Sequence, residues 1–192
     1  MREKQEDTNM SSIRAHVYIR AMKKFLTALF LLFLISFMYA QKNISSVIKE
    51  QAKKMEEALM KGDYKVFVQF SLPALVDSMG GVDEMTEITK SGMEEMEKNG
   101  FTIIAVTFGN PSEICQTKKN WQCTLLQNII LKAPEGKVVN NSTLVGVSYN
   151  NGKNWYFIDA AGKSREQIKL FIPELCERIK IPEAIQPVFY KE

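Results

Sequence analysis

Cysteines, acids and tyrosines are the residues of this chain whose types could do chemistry. Cys115 and Cys123 bracket the segment "CQTKKNWQC". A hairpin there would bring the two sulfurs within bridging distance, and an oxidising compartment would let a disulfide form. The alternative is two unpaired thiols. Cys176 stands in an apolar stripe at helical spacing and reads as a small core residue, not a nucleophile. A carboxylate base facing a tyrosine could hold an enolate. The candidates are Asp77, Asp159, Tyr64 and Tyr156, and no motif positions them. Each has a plainer reading: Asp159 closes a strand or caps a turn, Asp77 is a solvated loop acid, and the tyrosines pack. No residue is therefore assigned a catalytic role.

Much chemistry is excluded by what the sequence omits. The single histidine is His16, close to the N-terminus. A chain that loses its N-terminal segment would have no Ser–His or Cys–His couple and no His-ligated zinc site. No G-x-S-x-G, Walker loop or G-x-G-x-x-G occurs. The sequence therefore points to no metal and no cofactor. The formal charge of +3 is unevenly placed. Residues 1–40 hold six Lys/Arg and three Asp/Glu, which leaves 19 of each sign in 41–192. A neutral body without a basic block does not suit nucleic acid, whose phosphates need clustered cations.

The N-terminus reads as an address. "MKKFLTALFLLFLISFMYAQK" opens at Met22 with Lys23 and Lys24, runs apolar from Phe25 to Tyr39, and offers the small Ala40 before Gln41. This is the layout of a secretory signal over residues 22–40 behind an N-terminal extension, and it implies a periplasmic or secreted protein. Met38, where a small residue is preferred, and the 21 residues before Met22 depart from that layout. The rival reading is a membrane anchor at residues 25–39, although that run is shorter than the roughly 20 residues that span a bilayer. Membrane contact is expected only through this segment when uncleaved.

Residues 41–192 read as a single α+β domain with 45% apolar residues in the chain, a globular composition. Ile48, Ala52, Met55 and Leu59 recur at helical spacing, with Ser46 as the N-cap and Gly62 as the stop. Residues 63–81 fit helix or strand, and Pro73 breaks either one. A helix follows over residues 83–98, capped by Asp83, with Met85, Ile88, Gly92, Met93 and Met96 on one side. That stripe is an adaptable binding surface or, more simply, a face turned to a sheet. From Phe101 the period changes to that of strands, in "FTIIAVTFG", "EICQTKK", "WQCTLLQNIILKA", "KVVNNSTLVGVSY" and "KNWYFIDA". Short links make neighbours antiparallel, and long strands in a small domain curl. A last helical stretch starts at a Ser164–Gln167 capping box and carries Ile168, Phe171, Ile172, Leu175 and Ile179, with Pro173 kinking it or starting a second short helix.

The stretch "SYNNGKNWYFIDA" resembles the Asp-box pattern S-x-[D/N]-x-G-x-x-W of sialidase-like propellers. A propeller repeats its blade motif at intervals of roughly 40–50 residues. Here the pattern occurs once, so it reads as a hairpin with a Trp anchor. Asn151-Gly152 suits the positive φ of a type I′ turn, and Asn150 can fold its amide onto the turn backbone. Trp155, Phe157 and Asp159 then share one face, with Tyr156 and Ile158 on the other.

The element order over about residues 45–160 resembles the nuclear-transport-factor-two-like, or SnoaL-like, cystatin-like cone. The resemblance rests on "KGDYKVFVQFSLPALVDSMGG", helix 83–98 and the strand run ending in "GKNWYFIDA"; "IPELCERIKIP" lies beyond that fold's usual end. It implies N-terminal helices packed on a curved antiparallel sheet, a C-terminal helical extension, and an apolar pocket at the wide end. On that reading Trp155 and Phe157 face Met85, Ile88 and Met96 across the pocket. Such folds host isomerases, dehydratases and binding modules. The function expected is an exported, non-enzymatic module for a small apolar ligand or a protein partner. The alternatives are a pocket enzyme of the ketosteroid-isomerase or dehydratase kind, or a membrane-anchored envelope protein.

Overall fold

A computed structural model describes residues 44–183 and 185–191. The signal, its cleavage site and the anchor all lie outside them. Helix α1 covers residues 44–60, so Ser46 lies inside it and not at the position ahead of it. Gly62, at φ 74°, ends the segment as its sequence suggested. The ambiguous stretch resolves into two short helices, α2 (Tyr64–Gln69) and α3 (Pro73–Ser78). The Asp63 side chain caps α2 on the Val66 N–H. Pro73 occupies the first turn of α3, where its missing N–H costs nothing, so it starts a helix here. Helix α4 (Val82–Lys98) has Gly81 at its N-cap. Asp83 sits in the first turn and pairs with Lys65 at 2.9 Å instead of capping.

The strands are β1 (Thr102–Phe108), β2 (Cys115–Gln116), β3 (Trp121–Ala133), β4 (Gly136–Ser148) and β5 (Tyr156–Asp159). After the short helix α5 (Arg165–Lys169) comes β6 (Val188–Lys191), which the sequence reading did not foresee. The six strands form one antiparallel, curved, unclosed sheet, so the fold is α+β. Its axis is the β3–β4 hairpin, two strands of 13 residues paired along their full length. At the proximal end, near Trp121 and Ser148, β2 flanks β3 and β5 flanks β4. At the distal end, near the hairpin turn, β1 flanks β3 and β6 flanks β4.

Both faces of the proximal half are covered. Ile48, Ala52 and Met55 of α1 pack against Cys123, Leu125, Leu144, Trp155 and Phe157 on one face. On the other, Val145, Val147 and Ile158 meet Leu72, Ile168, Ile172, Leu175 and Ile179. The stripe in the last stretch is therefore core, but most of it is not helical. Helix α5, with the expected capping box at Ser164 and Gln167, spans five residues, and turns follow it. Pro173 has no N–H to continue the helix. The carbonyls beyond it are bonded instead by Arg165, which donates to Leu175, Cys176 and Ile179 at 2.8–3.2 Å.

Candidate functional site

The β4–β5 loop is held by side-chain hydrogen bonds to its own backbone. Asn151 and Gly152 take φ values of 59° and 81°, as the Asn-Gly pair suggested. The Asn150 side-chain oxygen accepts from the Asn154 N–H at 2.8 Å, and the Ser148 hydroxyl oxygen accepts from the Gly152 N–H at 2.9 Å. The Trp155 indole donates to the Gly152 carbonyl at 3.0 Å. A side chain at Gly152 would meet the Trp121 ring at 3.1 Å. Gln51 of α1, which the sequence reading did not single out, clips this loop at both hydrogen-bonding groups of its amide. Its oxygen accepts from the Trp155 N–H at 2.7 Å and its nitrogen donates to the Lys153 carbonyl at 2.8 Å. Ser148 and Asn150 of the motif are thus spent on the loop's own backbone, and α1 holds the loop through Gln51.

The pocket residues expected from the sequence are not brought together. Trp155 and Phe157 do share a face, but they are buried under α1. Helix α4 packs on α2 and α3. None of its residues is fully buried: Met85, Met93 and Met96 are half-buried, and Ile88 is 44% exposed. The physical reason is that the face is already filled: Ile48, Ala52 and Met55 of α1 cover Trp155 and Phe157, and α4 is left to pack on α2 and α3.

The disulfide joins Cys115 to Cys176, not to Cys123, with the Cα atoms 6.4 Å apart. Register decides this. Cys115 stands opposite Gln122, so it shares the Gln122 face, and Cys123 points to the other face of β3. Cys176 is delivered to Cys115 by the turns after α5. The buried Gln122 helps hold it there: its side-chain oxygen accepts from the Cys176 N–H at 2.8 Å and its nitrogen donates to the Glu174 carbonyl at 2.8 Å. Cys123 is free and buried, and desolvation pushes its thiol up to about 12. Its cross-strand partner must be small: a Cβ on Gly146 would lie 3.2 Å from the Cys123 sulfur and 3.3 Å from the Phe157 ring.

The acid and tyrosine candidates stand on separate elements. Asp159 is exposed and accepts from the Ala161 N–H at 2.8 Å, a turn cap. Tyr156 lies on the opposite face of β5, with its ring centroid 6.1 Å from that of Tyr149. Burial, with Tyr156 alongside, raises the Tyr149 phenol. Asp77 is exposed near the end of α3, and Tyr64 lines a cleft beside Leu59, Met60, Met93 and Ile103. Among the described residues, no group of three His, Cys, Asp or Glu is placed to hold a metal.

What the geometry does offer is an edge. Strand β1 hydrogen-bonds to β3 on one side, and among the described residues nothing pairs with its outer side. An open groove of about 340 Å³ runs between that strand and α1. Val106, Thr107 and Phe108 line its strand side; Lys49, Glu50, Lys53 and Glu56 line the helix side. Lys49 donates to Asn110 at 3.2 Å across one end. Burial, then the neighbouring Glu57, lifts the Glu56 carboxyl above its ordinary range. A register shift between Ile103 and Ala105 leaves Ile104 bulged out and 52% exposed. The sequence signal for this site was "FTIIAVTF", an uncharged strand-like run, but whether such a run sits at an edge is decided by its partners.

No protein-family model matches the chain, and no curated protein matches it in sequence.

Proposed function

We propose that the protein is an exported, non-enzymatic binding module that takes an extended segment of a protein partner along β1. The observation that carries this reading is the unpaired outer edge of β1 beside an open groove. Strand addition draws its affinity from main-chain hydrogen bonds and its selectivity from pockets for alternate side chains. Val106 and Phe108 supply an apolar floor for such side chains, and Lys49, Lys53 and Glu56 supply polar contacts at the rim. The Cys115–Cys176 bridge supports export, because disulfides persist in oxidising compartments. Among the described residues no helix is long and apolar enough to cross a membrane.

A small apolar ligand is the second reading. Its place would be the cleft of about 260 Å³ lined by Leu59, Met60, Tyr64, Met93 and Ile103. That volume lies below the roughly 300–1,000 Å³ of ordinary ligand sites, so the strand-addition reading stands ahead of it.

Photo-crosslinking residues placed at Thr107 and Lys53, with Lys163 as the remote control, test the proposal in the native host. Adducts to a protein at the first two positions and none at Lys163 are expected, on a mature chain whose mass begins at Gln41. Adducts at all three positions alike, or at none, would sink the groove. Uncleaved chain held in the membrane would sink export with cleavage.

A further inference from the structure

The distal end of the sheet carries a second surface, independent of the β1 groove. Lys132 and Lys137 stand directly opposite each other across the β3–β4 hairpin. Like charges in that position repel and weaken the pairing. Lys191 lies opposite Gly136, and Thr102, at the start of β1, lies opposite Lys132, which brings Lys98 at the end of α4 to the same end. Among the described residues none of these four lysines is in an ion pair. Glu97, Glu135 and Glu192 are the acids beside them in sequence. Next to the lysines, β6 exposes three large side chains that belong to no core cluster: Val188 at 47%, Phe189 at 51% and Tyr190 at 49%. Tyr190 is the cross-strand neighbour of Lys137.

We infer that this end of the sheet docks on an anionic phospholipid bilayer. The directly opposed lysine pair beside open apolar side chains points to that occupant. Lys132 and Lys137 lower their mutual repulsion against anionic headgroups, and each lysine contributes about a fivefold gain in affinity near such a surface. Aromatic side chains with an apolar body and a polar tip settle at the headgroup level, and Tyr190 beside Lys137 has that form. A protein partner with an acidic surface would match the lysines but would not need aliphatic and aromatic groups open on both faces of one short strand. The docking surface lies in the folded body, so it adds to any membrane contact made by residues 25–39.

Co-sedimentation of the full chain with vesicles tests this. Vesicles of phosphatidylcholine alone are compared with vesicles that also contain phosphatidylglycerol. The expected result is a preference for the anionic vesicles that weakens as salt rises. Lys132→Gln with Lys137→Gln should cut binding to anionic vesicles about 25-fold at an unchanged melting temperature. Phe189→Ser with Tyr190→Ser should lower binding to both kinds of vesicle. Residues 1–43 are identical in all variants, so a double-glutamine chain that keeps the full preference overturns the inference. Equal binding to both vesicles overturns it too. Soluble glycerol phosphate should not compete; if it displaces the chain, the lysines form a small phosphate-ester site and the bilayer reading fails.

Discussion

Trp155 is fixed from two directions, and neither uses its ring chemistry. Its backbone N–H goes to Gln51, its indole N–H goes back to Gly152, and its ring fills space beneath α1. Trp155→Ala should therefore act as a core lesion of about 3–5 kcal/mol, read as a large fall in melting temperature. An unchanged melt would mean the ring is not core. Cys123 makes the second prediction at this scale. Native, unreduced protein should show no reactive thiol from the described residues, and denaturation without reductant should release one. Two or more released thiols would contradict the Cys115–Cys176 bridge. The raised thiol also has a pH signature. The folded state keeps Cys123 protonated up to about 12, whereas the unfolded chain ionises it near its ordinary 9.0. Its contribution is thus complete below about pH 9 and is lost between there and about 12. Chemical denaturation across that window should show a steeper decline for the natural chain than for Cys123→Ala. The face assignment of Trp155, Phe157, Tyr156 and Ile158 was legible because alternation after a tight turn leaves no freedom. The pairing of Cys115 was not legible, since it turns on a one-residue register that sequence spacing does not set.

Among the elements, the long hairpin, the capping box and helix 82–98 could be read from period and caps. The role of that helix could not. An apolar stripe says that a face is covered, but not by what; α1 and α4 offered similar stripes, and α1 took the sheet while α4 packed on α2 and α3. The segment after α5 shows the opposite case: its apolar spacing was right and its conformation was wrong. Ile172, Leu175 and Ile179 reach the core through turns held by Arg165, Gln122 and the disulfide. Because so little regular structure anchors these turns, their stability depends on the bridge. Cys115→Ser with Cys176→Ser opens a link between residues 61 apart in sequence. The loss should be about 4 kcal/mol by chain entropy. Protease cleavage should then appear first between residues 170 and 181. A variant that melts like the natural chain and resists cleavage there would show that the polar clamp alone suffices.

The whole molecule divides its work along the sheet. The proximal half has a core on each face; the groove between β1 and α1 lies beside it, and the exposed strand β6 lies at the distal end. Sequence patterning showed the fold class because periodicity is local. It did not show the edge groove or β6, because an open edge is defined by partners that fail to arrive. The buried free thiol has a further consequence, in the order of folding events. Cys123 is the near neighbour of Cys115 along the chain, while Cys176 is the distant one. In an unfolded chain under oxidising conditions, the shorter loop closes more readily, so the wrong bridge has the kinetic advantage. Docking of α1 removes Cys123 from that competition by burying it against Gly146 and Phe157. Correct oxidation therefore waits on a helix from the start of the domain and a cysteine from near its end. The segment between them contains the 13-residue hairpin, whose pairing is local and can form early. A chain that oxidises before α1 docks needs thiol–disulfide exchange to recover, with Cys176 as the attacking thiol.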